Sequence, residues 1–252
     1  MSKRTLSYVW IVICTGAILT LVAPFRYYLC KLGFYVNQIE EANLILKEEN
    51  QEFLELLETM SAVIDVYDVY TYGQSAQVAE YAAAIAEKMN LSPEEQAVVA
   101  RAALVYDIGK VGISDSTSAE LGILTDEEHN GMERYPVIGA QMVAQKGLQE
   151  LVPLVRHQHE RWDGSGYPDG LKGEEIPVGA RILALADTLD AMFSDHPYGS
   201  TRSFREAMAE VARSSGKQFD PDVVAAFLAV AKEKAGNFFV DSAATVDRSI
   251  YK

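Results

Sequence analysis

A loop of eight residues, Asp163 to Gly170, constrains the fold more than any other stretch of this chain. Its sequence, DGSGYPDG, consists mostly of glycine, aspartate and proline, which favour turns and interrupt helices. Two imidazoles, those of His157 and His159, stand shortly before it. A helix that carries these histidines must therefore end at a shaped loop. The combination indicates a functional site, although a surface loop without function fits the same composition.

Capping signals divide much of the remaining chain into helices. The run from Ser92 to Glu95 supplies an N-cap, a proline at the first helical position and a capping-box glutamate, which predicts a helix towards Val105. Further helix boundaries are predicted at Thr125 to Glu128, at Pro177 for a helix through Ala191, at Gly216 after a helix from Phe204 to Val211, and at Asp220-Pro221. No segment shows sustained two-residue alternation, so the sequence predicts an all-α domain.

The N-terminal segment is apolar and flanked by basic residues. Leu6 to Phe25 contains no charge, and twenty apolar residues are about the length of a helix that crosses the hydrocarbon core. We therefore expect residues 1–36 to form a transmembrane anchor and an interfacial segment, which makes the chain a single-pass membrane protein. A cleavable signal peptide is the alternative.

A heptad pattern follows the apolar segment. Its apolar positions are Ile39, Ala42, Leu46, Phe53, Leu56, Met60 and Val63. This spacing predicts a coiled-coil linker helix over residues 37–64 and a homodimer formed through it. A single amphipathic helix that packs on its own domain is the alternative. The main domain is then expected over residues 65–235, followed by a C-terminal tail at 236–252.

The distribution of charge excludes one class of partner. The net charge is −14, and residues 1–36 carry four basic residues and no acid, so the rest of the chain carries −18. Such an acidic domain repels phosphate backbones, which argues against nucleic-acid binding. The two cysteines, Cys14 and Cys30, provide no disulfide framework for the domain.

Two motifs suggest a family. The run HERWDGSGYPDG from His159 to Gly170, with Asp-Ile-Gly-Lys at Asp107 to Lys110, resembles the HD-GYP family. This family is a branch of the HD metal-dependent phosphohydrolases and cleaves cyclic di-GMP. The resemblance covers roughly residues 65 to 230 and implies an HD-GYP-like helical bundle. It also implies a cytoplasmic nucleotide ligand, which places the large domain in the cytoplasm.

The resemblance implies a metal cluster built from histidines and aspartates on successive helices. Four positions at which the family has a ligand histidine hold other residues here: Gln74, Tyr106, Tyr135 and Gln158. The remaining candidate metal ligands are Asp107, His159 and Asp187, which are too few for a two-metal site. His157, one position before Gln158, could partly substitute.

The substrate-binding positions are also reduced relative to the family. The resemblance assigns Lys110 to the scissile phosphate, which makes it the residual catalytic candidate, and assigns substrate contacts to Lys110, Gly166, Tyr167 and Pro168. The run from Asp195 to Gly199 lacks two phosphate-binding cations of the family. Binding of cyclic di-GMP is therefore disfavoured, because few cations remain to offset the acidic domain.

These losses lead to the main interpretation, a membrane-anchored, degenerate and catalytically inactive HD-GYP-like protein. It would act in signalling or assembly through a protein partner that the sequence does not name, and no cofactor is expected. One alternative is a cyclic di-GMP phosphodiesterase with a reduced site, in which Asp107, His157, His159 and Asp187 hold one weakly bound divalent iron or manganese ion. A non-hydrolysing cyclic-dinucleotide receptor is the other alternative.

Overall fold

The computed structural model describes residues 3–67, 74–113, 133–144, 148–193 and 203–233. These ranges contain eight α-helices: α1 (Lys3–Tyr67), α2 (Gln74–Lys88), α3 (Pro93–Val105), α4 (Tyr135–Val143), α5 (Val152–His157), α6 (Val178–Phe193), α7 (Phe204–Ser214) and α8 (Pro221–Glu233). Short 3-10 helices occupy Ile108–Gly112, Gln149–Leu151 and Gly173–Glu175. No strand occurs within these ranges, so the predicted all-α fold is confirmed.

The chain divides into two compact units, residues 1–53 and residues 54–252. The first unit consists largely of the N-terminal part of α1. Most side chains of the segment from Leu6 to Phe25 lie outside the described residues. Among the helices in the described part of the chain, none combines the length and the apolar character needed to cross a bilayer. This finding corrects the predicted transmembrane anchor and the predicted single-pass membrane localisation.

The predicted heptad positions lie on α1. Ile39 and Leu46 are exposed to 60% and 61% in the single chain. Near the end of the helix, Leu57 and Ser61, which belong to the second unit, are buried, whereas the neighbouring heptad position Leu56 is exposed. The heptad stripe is therefore only partly covered at this point, since Met60 is half-buried and Leu56 is exposed. The coiled coil and the homodimer through residues 37–64 stay predictions.

The second unit is built around helix α6. Its residues Ile182, Leu183, Leu185, Ala186 and Leu189 are fully buried. The helix packs against α2, α3, α5, α7 and α8, so it lies at the centre of the bundle. Burying apolar side chains on nearly all sides fixes the rotation of α6 and hence the direction of its polar residues.

The predicted helix boundaries inside the described ranges agree with the structure. Ser92 accepts a hydrogen bond from the Glu95 amide, and the Glu95 carboxylate accepts one from the Ser92 amide. Ser203 and Glu206 form the same box at the start of α7. Gly216, with φ of 74°, follows the end of α7. The predicted box at 125–128, the run at 195–199 and the tail at 236–252 lie outside the described residues.

Candidate active site

The glycine-rich loop has the fixed shape that its sequence predicts. Gly164 and Gly170 have positive φ values of 84° and 67°, which side chains with a Cβ adopt at a cost. Gly166 is required for another reason. A Cβ at this position would clash with backbone atoms of His159, Glu160 and Arg161, because the loop folds back directly onto the end of α5. This close approach brings Tyr167 against His159.

The carboxylate of Glu160 holds the loop in place. Its side chain is buried and accepts backbone hydrogen bonds at 2.7 Å from Asp169, 3.1 Å from Gly170 and 3.1 Å from Leu171. Sequence reasoning gave Glu160 no role of its own, because its partners lie about ten residues away along the chain. The glutamate within the family motif was the available signal.

A close backbone contact joins the 3-10 helix at Ile108–Gly112 to helix α4. A Cβ at Gly109 would clash with the Tyr135 carbonyl oxygen and the Gly139 amide nitrogen. Only glycine permits this approach. Asp107 precedes the 3-10 helix and Tyr135 is the first residue of α4, so the contact sets their carboxylate and phenol side by side.

Five side chains from four segments form a cluster, three of them buried and two half-buried at a cavity, which we call the Tyr/Asp cluster. Its members are Tyr106, Asp107, Tyr135, His159 and Asp187. The Tyr106 hydroxyl donates to Asp187 Oδ1 at 2.9 Å, and the Tyr135 hydroxyl is hydrogen-bonded to His159 Nε2. The three metal candidates predicted from the sequence therefore lie in one place, together with two of the residues counted as lost ligands.

Lys110 and Gln158 border the Tyr/Asp cluster. The Lys110 ammonium lies 2.7 Å from Asp107 Oδ2. Asp107 Oδ1 is buried and has no hydrogen-bond partner. The Gln158 amide donates to the Tyr106 carbonyl oxygen at 2.8 Å, while its own Oε1 is likewise buried without a partner. Both oxygens are thus buried acceptors that the protein itself leaves without a donor.

Burial dominates the electrostatics of the cluster. Desolvation, followed by the charges of Asp107 and Asp187, raises the pKa values of Tyr106 and Tyr135 well above the ordinary tyrosine value. Burial and the neighbouring Asp107 also raise the pKa of Asp187. Desolvation lowers the pKa of His159, so its imidazole is neutral at neutral pH.

A cavity of about 270 Å³ opens beside the Tyr/Asp cluster. His159 and Asp187 line it, together with the predicted substrate residues Gly166 and Tyr167. The Tyr167 ring stacks on the His159 imidazole with 5.1 Å between ring centroids. Pro168 and Lys110 are not among the lining residues. The predicted catalytic lysine therefore pairs with Asp107 and does not line this cavity.

Two arginines near the loop, Arg161 and Arg181, differ in the groups that they already contact. Arg161 lines the cavity and is bonded to Ser165 Oγ at 3.1 Å. Arg181 instead pairs with the buried Asp220 at 2.7 Å and donates to the Ile176 carbonyl oxygen. Arg161 is therefore the better placed of the two for an anionic ligand.

A second group of possible metal ligands includes the residues on either side of Gln158 and His159. His157, Glu160 and Asp169 bring one donor atom each within 4.8 Å of one another, and His157 Nδ1 is buried without a hydrogen-bond partner. Arg156 already binds both oxygens of Asp169 at 2.7 Å. A cation at this group, which we call the His157 triad, would compete with that arginine.

Comparison with known proteins identifies the family. The family model described as HD domain matches residues 58–223. The chain belongs to the HD domain family. The resemblance to its HD-GYP branch is confirmed by a relative named cyclic di-GMP phosphodiesterase from Thermotoga maritima, which is 40% identical over 166 residues, covering 65% of this chain and 45% of the relative.

Other relatives and a solved structure agree with this assignment. The cyclic di-GMP phosphodiesterase response regulator RpfG of Xanthomonas campestris is 40% identical over 155 residues, covering 60% of this chain and 41% of that protein. A protein of Vibrio cholerae named 3'3'-cGAMP-specific phosphodiesterase 3 is 31% identical over 157 residues, covering 62% of this chain and 34% of that protein. A V. cholerae cyclic GMP-AMP phosphodiesterase structure shares the fold with a TM-score of 0.60 and 22% identity, covering 78% of this chain and 52% of that chain. The chain spans less than half the length of these three curated relatives.

These relatives correct the main functional interpretation. They are named as phosphodiesterases of cyclic di-GMP or cGAMP, so the expectation of a catalytically inactive domain is wrong. That expectation rested on counting lost imidazoles one position at a time. The finding favours the alternative of a phosphodiesterase.

The expectation of no cofactor is corrected as well. Phosphodiesterases of the HD family are metal-dependent, and the His157 triad is a group that could hold an ion. The Tyr/Asp cluster also fits a cation, because the buried Asp107 Oδ1 has no hydrogen-bond partner. Asp107, His159 and Asp187 do not by themselves form a group as compact as the triad among the described residues, since the two phenols lie between them.

Proposed function

We propose that this chain is a metal-dependent phosphodiesterase of cyclic dinucleotides, with cyclic di-GMP as the preferred substrate. The observation that carries the proposal is the cavity beside the Tyr/Asp cluster, where the glycine-rich loop sets Tyr167 and His159 opposite Asp187. The relatives named for cyclic di-GMP are 36 to 41% identical to this chain, against 30 to 33% for those named for cGAMP, which supports the choice of substrate.

The reaction proposed is hydrolysis of one phosphodiester bond. A water oxygen attacks phosphorus, the bond from phosphorus to the 3' oxygen breaks, and that oxygen leaves with a proton to give the linear dinucleotide. A bound metal ion would polarise the phosphate and lower the pKa of the attacking water. Asp107, His159 and Asp187 are the residues proposed to hold the ion.

The remaining residues bind and orient the phosphate. Lys110, held by Asp107, supplies positive charge close to the ion site. Arg161 offers a cation on the cavity wall. Burial raises the pKa of Tyr167 to about 12, so its hydroxyl keeps its proton and can donate to a phosphate oxygen. Gly166 lets the loop approach the cavity, and Pro168 follows Tyr167 at the turn.

Hydrolysis by the purified full chain tests the proposal. Cyclic di-GMP incubated with manganese or ferrous iron is expected to give the linear dinucleotide, detected by chromatography, and 3'3'-cGAMP is expected to react more slowly. Asp187→Asn is expected to abolish turnover, whereas Lys232→Ala, at an exposed lysine of α8, is expected to leave it unchanged. Absence of product with both metals, or equal turnover in Asp187→Asn, would show that the proposal is wrong.

We also infer that the catalytic domain runs over residues 65–235 and that residues 37–64 form a homodimeric linker helix. The exposed apolar stripe through Ile39 and Leu46 supports the dimer. Light scattering of the wild type and of an Ile39→Glu, Leu46→Glu variant tests it. Equal mass for the two proteins would refute the linker as the dimer contact.

A further inference from the structure

Three carboxylates line the cavity beside the Tyr/Asp cluster, those of Glu133, Glu160 and Asp187. Two of them already have a role. Glu160 accepts hydrogen bonds from three loop amides, and Asp187 accepts one from Tyr106 and is a proposed ion ligand. In the part of the chain that the structure describes, Glu133 belongs to no compact group of possible metal ligands. A carboxylate on the wall of a site for an anionic ligand therefore calls for another explanation.

The start of helix α4 sets the position of Glu133. Tyr135, two residues later, is buried, and its carbonyl oxygen lies against Gly109. Glu133 itself is half-buried. Its charge is close enough to act on the Tyr167 phenol, which lines the same cavity. Glu133 therefore stands at an edge of the cavity that backbone packing holds in place.

We propose that Glu133 selects guanine, because its two carboxylate oxygens accept hydrogen bonds from N1–H and from the exocyclic amino group of one guanine base of the substrate. This inference rests on the proposed function for the class of ligand, a cyclic dinucleotide. It deepens that function by assigning the residue that distinguishes one base from another.

Hydrogen-bond chemistry makes a carboxylate specific for guanine. An ionised carboxylate only accepts hydrogen bonds, through two oxygens that lie side by side. The Watson–Crick edge of guanine presents two adjacent donors, N1–H and N2–H₂. Adenine presents one donor, N6–H₂, beside the acceptor N1, so one carboxylate oxygen would face a lone pair. A site built to bond two donors rejects an analogue that lacks one of them, because an acceptor is left desolvated and unpaired.

Other polar groups of the cavity wall do not discriminate between bases in this way. The amide of Gln218 carries both donors and an acceptor, and it can turn to suit any base. Arg161, from the glycine-rich loop, is a cationic donor that suits phosphate. The negative charge of Glu133 repels phosphate, so the base and the phosphate are expected at different parts of the cavity.

The size of the cavity limits this contact to one base. Its volume of about 270 Å³ is below the ~300–1,000 Å³ of pockets that enclose a whole drug-sized ligand, so it holds part of a cyclic dinucleotide. Cyclic di-GMP can enter with either of its guanines and 3'3'-cGAMP with only one, so this contact separates the two substrates by about twofold. Cyclic di-AMP offers no guanine and is rejected.

Replacing one oxygen of the carboxylate tests the inference. In Glu133→Gln the NH₂ group opposes a guanine donor, but it can donate to adenine N1 while the oxygen accepts from N6–H₂. With the purified full chain and manganese, the wild type is expected to hydrolyse cyclic di-GMP with kcat/KM about 100-fold or more above that for cyclic di-AMP. Glu133→Gln is expected to lower kcat/KM for cyclic di-GMP by about tenfold or more, mainly through KM, and to raise it for cyclic di-AMP.

The opposite changes for the two substrates separate base recognition from damage to the fold, which would lower both values together. Glu174→Gln, at an exposed carboxylate of the 3-10 helix Gly173–Glu175, is the matched control and is expected to keep the wild-type ratio. Titration calorimetry in EDTA measures binding of the two dinucleotides without turnover. Equal turnover of the two substrates by the wild type, or an unchanged ratio in Glu133→Gln, would overturn the inference.

This inference and the proposed function fail in different ways. Hydrolysis of cyclic di-GMP with an unchanged substrate ratio in Glu133→Gln would keep the phosphodiesterase and reject guanine recognition by this residue. A calorimetric preference for cyclic di-GMP that disappears in Glu133→Gln, without hydrolysis by the wild type, would keep the base contact and reject the reaction. Binding of neither dinucleotide would overturn both.

Discussion

Replacing Glu160 with glutamine should weaken the attachment of the glycine-rich loop to the end of α5. In the wild type, Oε1 accepts from the amides of Asp169 and Gly170, and Oε2 accepts from the amide of Leu171. A glutamine keeps one oxygen and presents an NH₂ group to a backbone donor. Leaving a buried donor without an acceptor costs about 1–3 kcal/mol, and two bonds to a neutral rather than charged oxygen lose about 1 kcal/mol each.

The expected loss is therefore about 3 kcal/mol in the free energy of unfolding, after part is offset by the lower cost of burying a neutral group. Urea denaturation followed by circular dichroism measures the change in the free energy of global unfolding. Hydrogen exchange at the amides of residues 169–171 measures loss of the loop alone. The matched control is Glu150→Gln, at a carboxylate 43% exposed and paired with Arg101, where we expect a change below about 1 kcal/mol.

The result that would refute this reasoning is a Glu160→Gln variant with unchanged stability and unchanged exchange at residues 169–171. A loss of stability that appears only when metal ion is added without a chelator would assign the carboxylate to the His157 triad rather than to the loop amides. Both proteins are therefore measured with and without EDTA.

Three further predictions concern the neighbouring contacts. Gly109→Ala should lower stability by about 1–3 kcal/mol, because its Cβ meets the Tyr135 backbone; an unchanged thermal midpoint would contradict the close packing. Arg156→Ala should cost less than about 1 kcal/mol, since the pair with Asp169 is exposed to solvent. Arg156 lowers the pKa of Asp169, so the contribution of the pair to stability is present above about pH 4 and is lost as pH falls through the pKa of Asp169 in the folded state. A difference in stability between wild type and variant that grows on acidification would contradict this sign. Tyr106→His with Tyr135→His should raise manganese affinity by about tenfold or more in equilibrium dialysis, and unchanged affinity would show that these positions do not face the ion.

Helix boundaries were predictable because their causes are local. Ser92 and Glu95 form a capping box across three residues, and the structure contains that box and the helix behind it. The loop's shape was predictable for a similar reason, since glycines at 164 and 170 adopt positive φ. The membrane anchor was predicted from composition alone, which gives length and polarity but not surroundings.

The chemistry of the site was less predictable, because its contacts join distant parts of the sequence. Tyr106 and Asp187 are eighty-one positions apart, yet their oxygens are 2.9 Å apart. Read along the chain, a tyrosine in place of a histidine is a lost ligand. In the folded chain the same tyrosine places a hydroxyl group against a carboxylate. Only the assembled bundle shows this contact.

Three consecutive residues at the end of α5 explain how ligands could change while the fold persisted. Gln158 bonds to the Tyr106 backbone, His159 to the Tyr135 side chain, and Glu160 to the loop amides. Two of these three attachments use backbone groups of the partner segment, so they do not depend on which side chain stands at 106 or in the loop. The Gly109 contact with the Tyr135 carbonyl is also a backbone contact. The segments around the site are therefore positioned largely by backbone contacts, and an imidazole can be exchanged for a phenol without moving the helices that carry it.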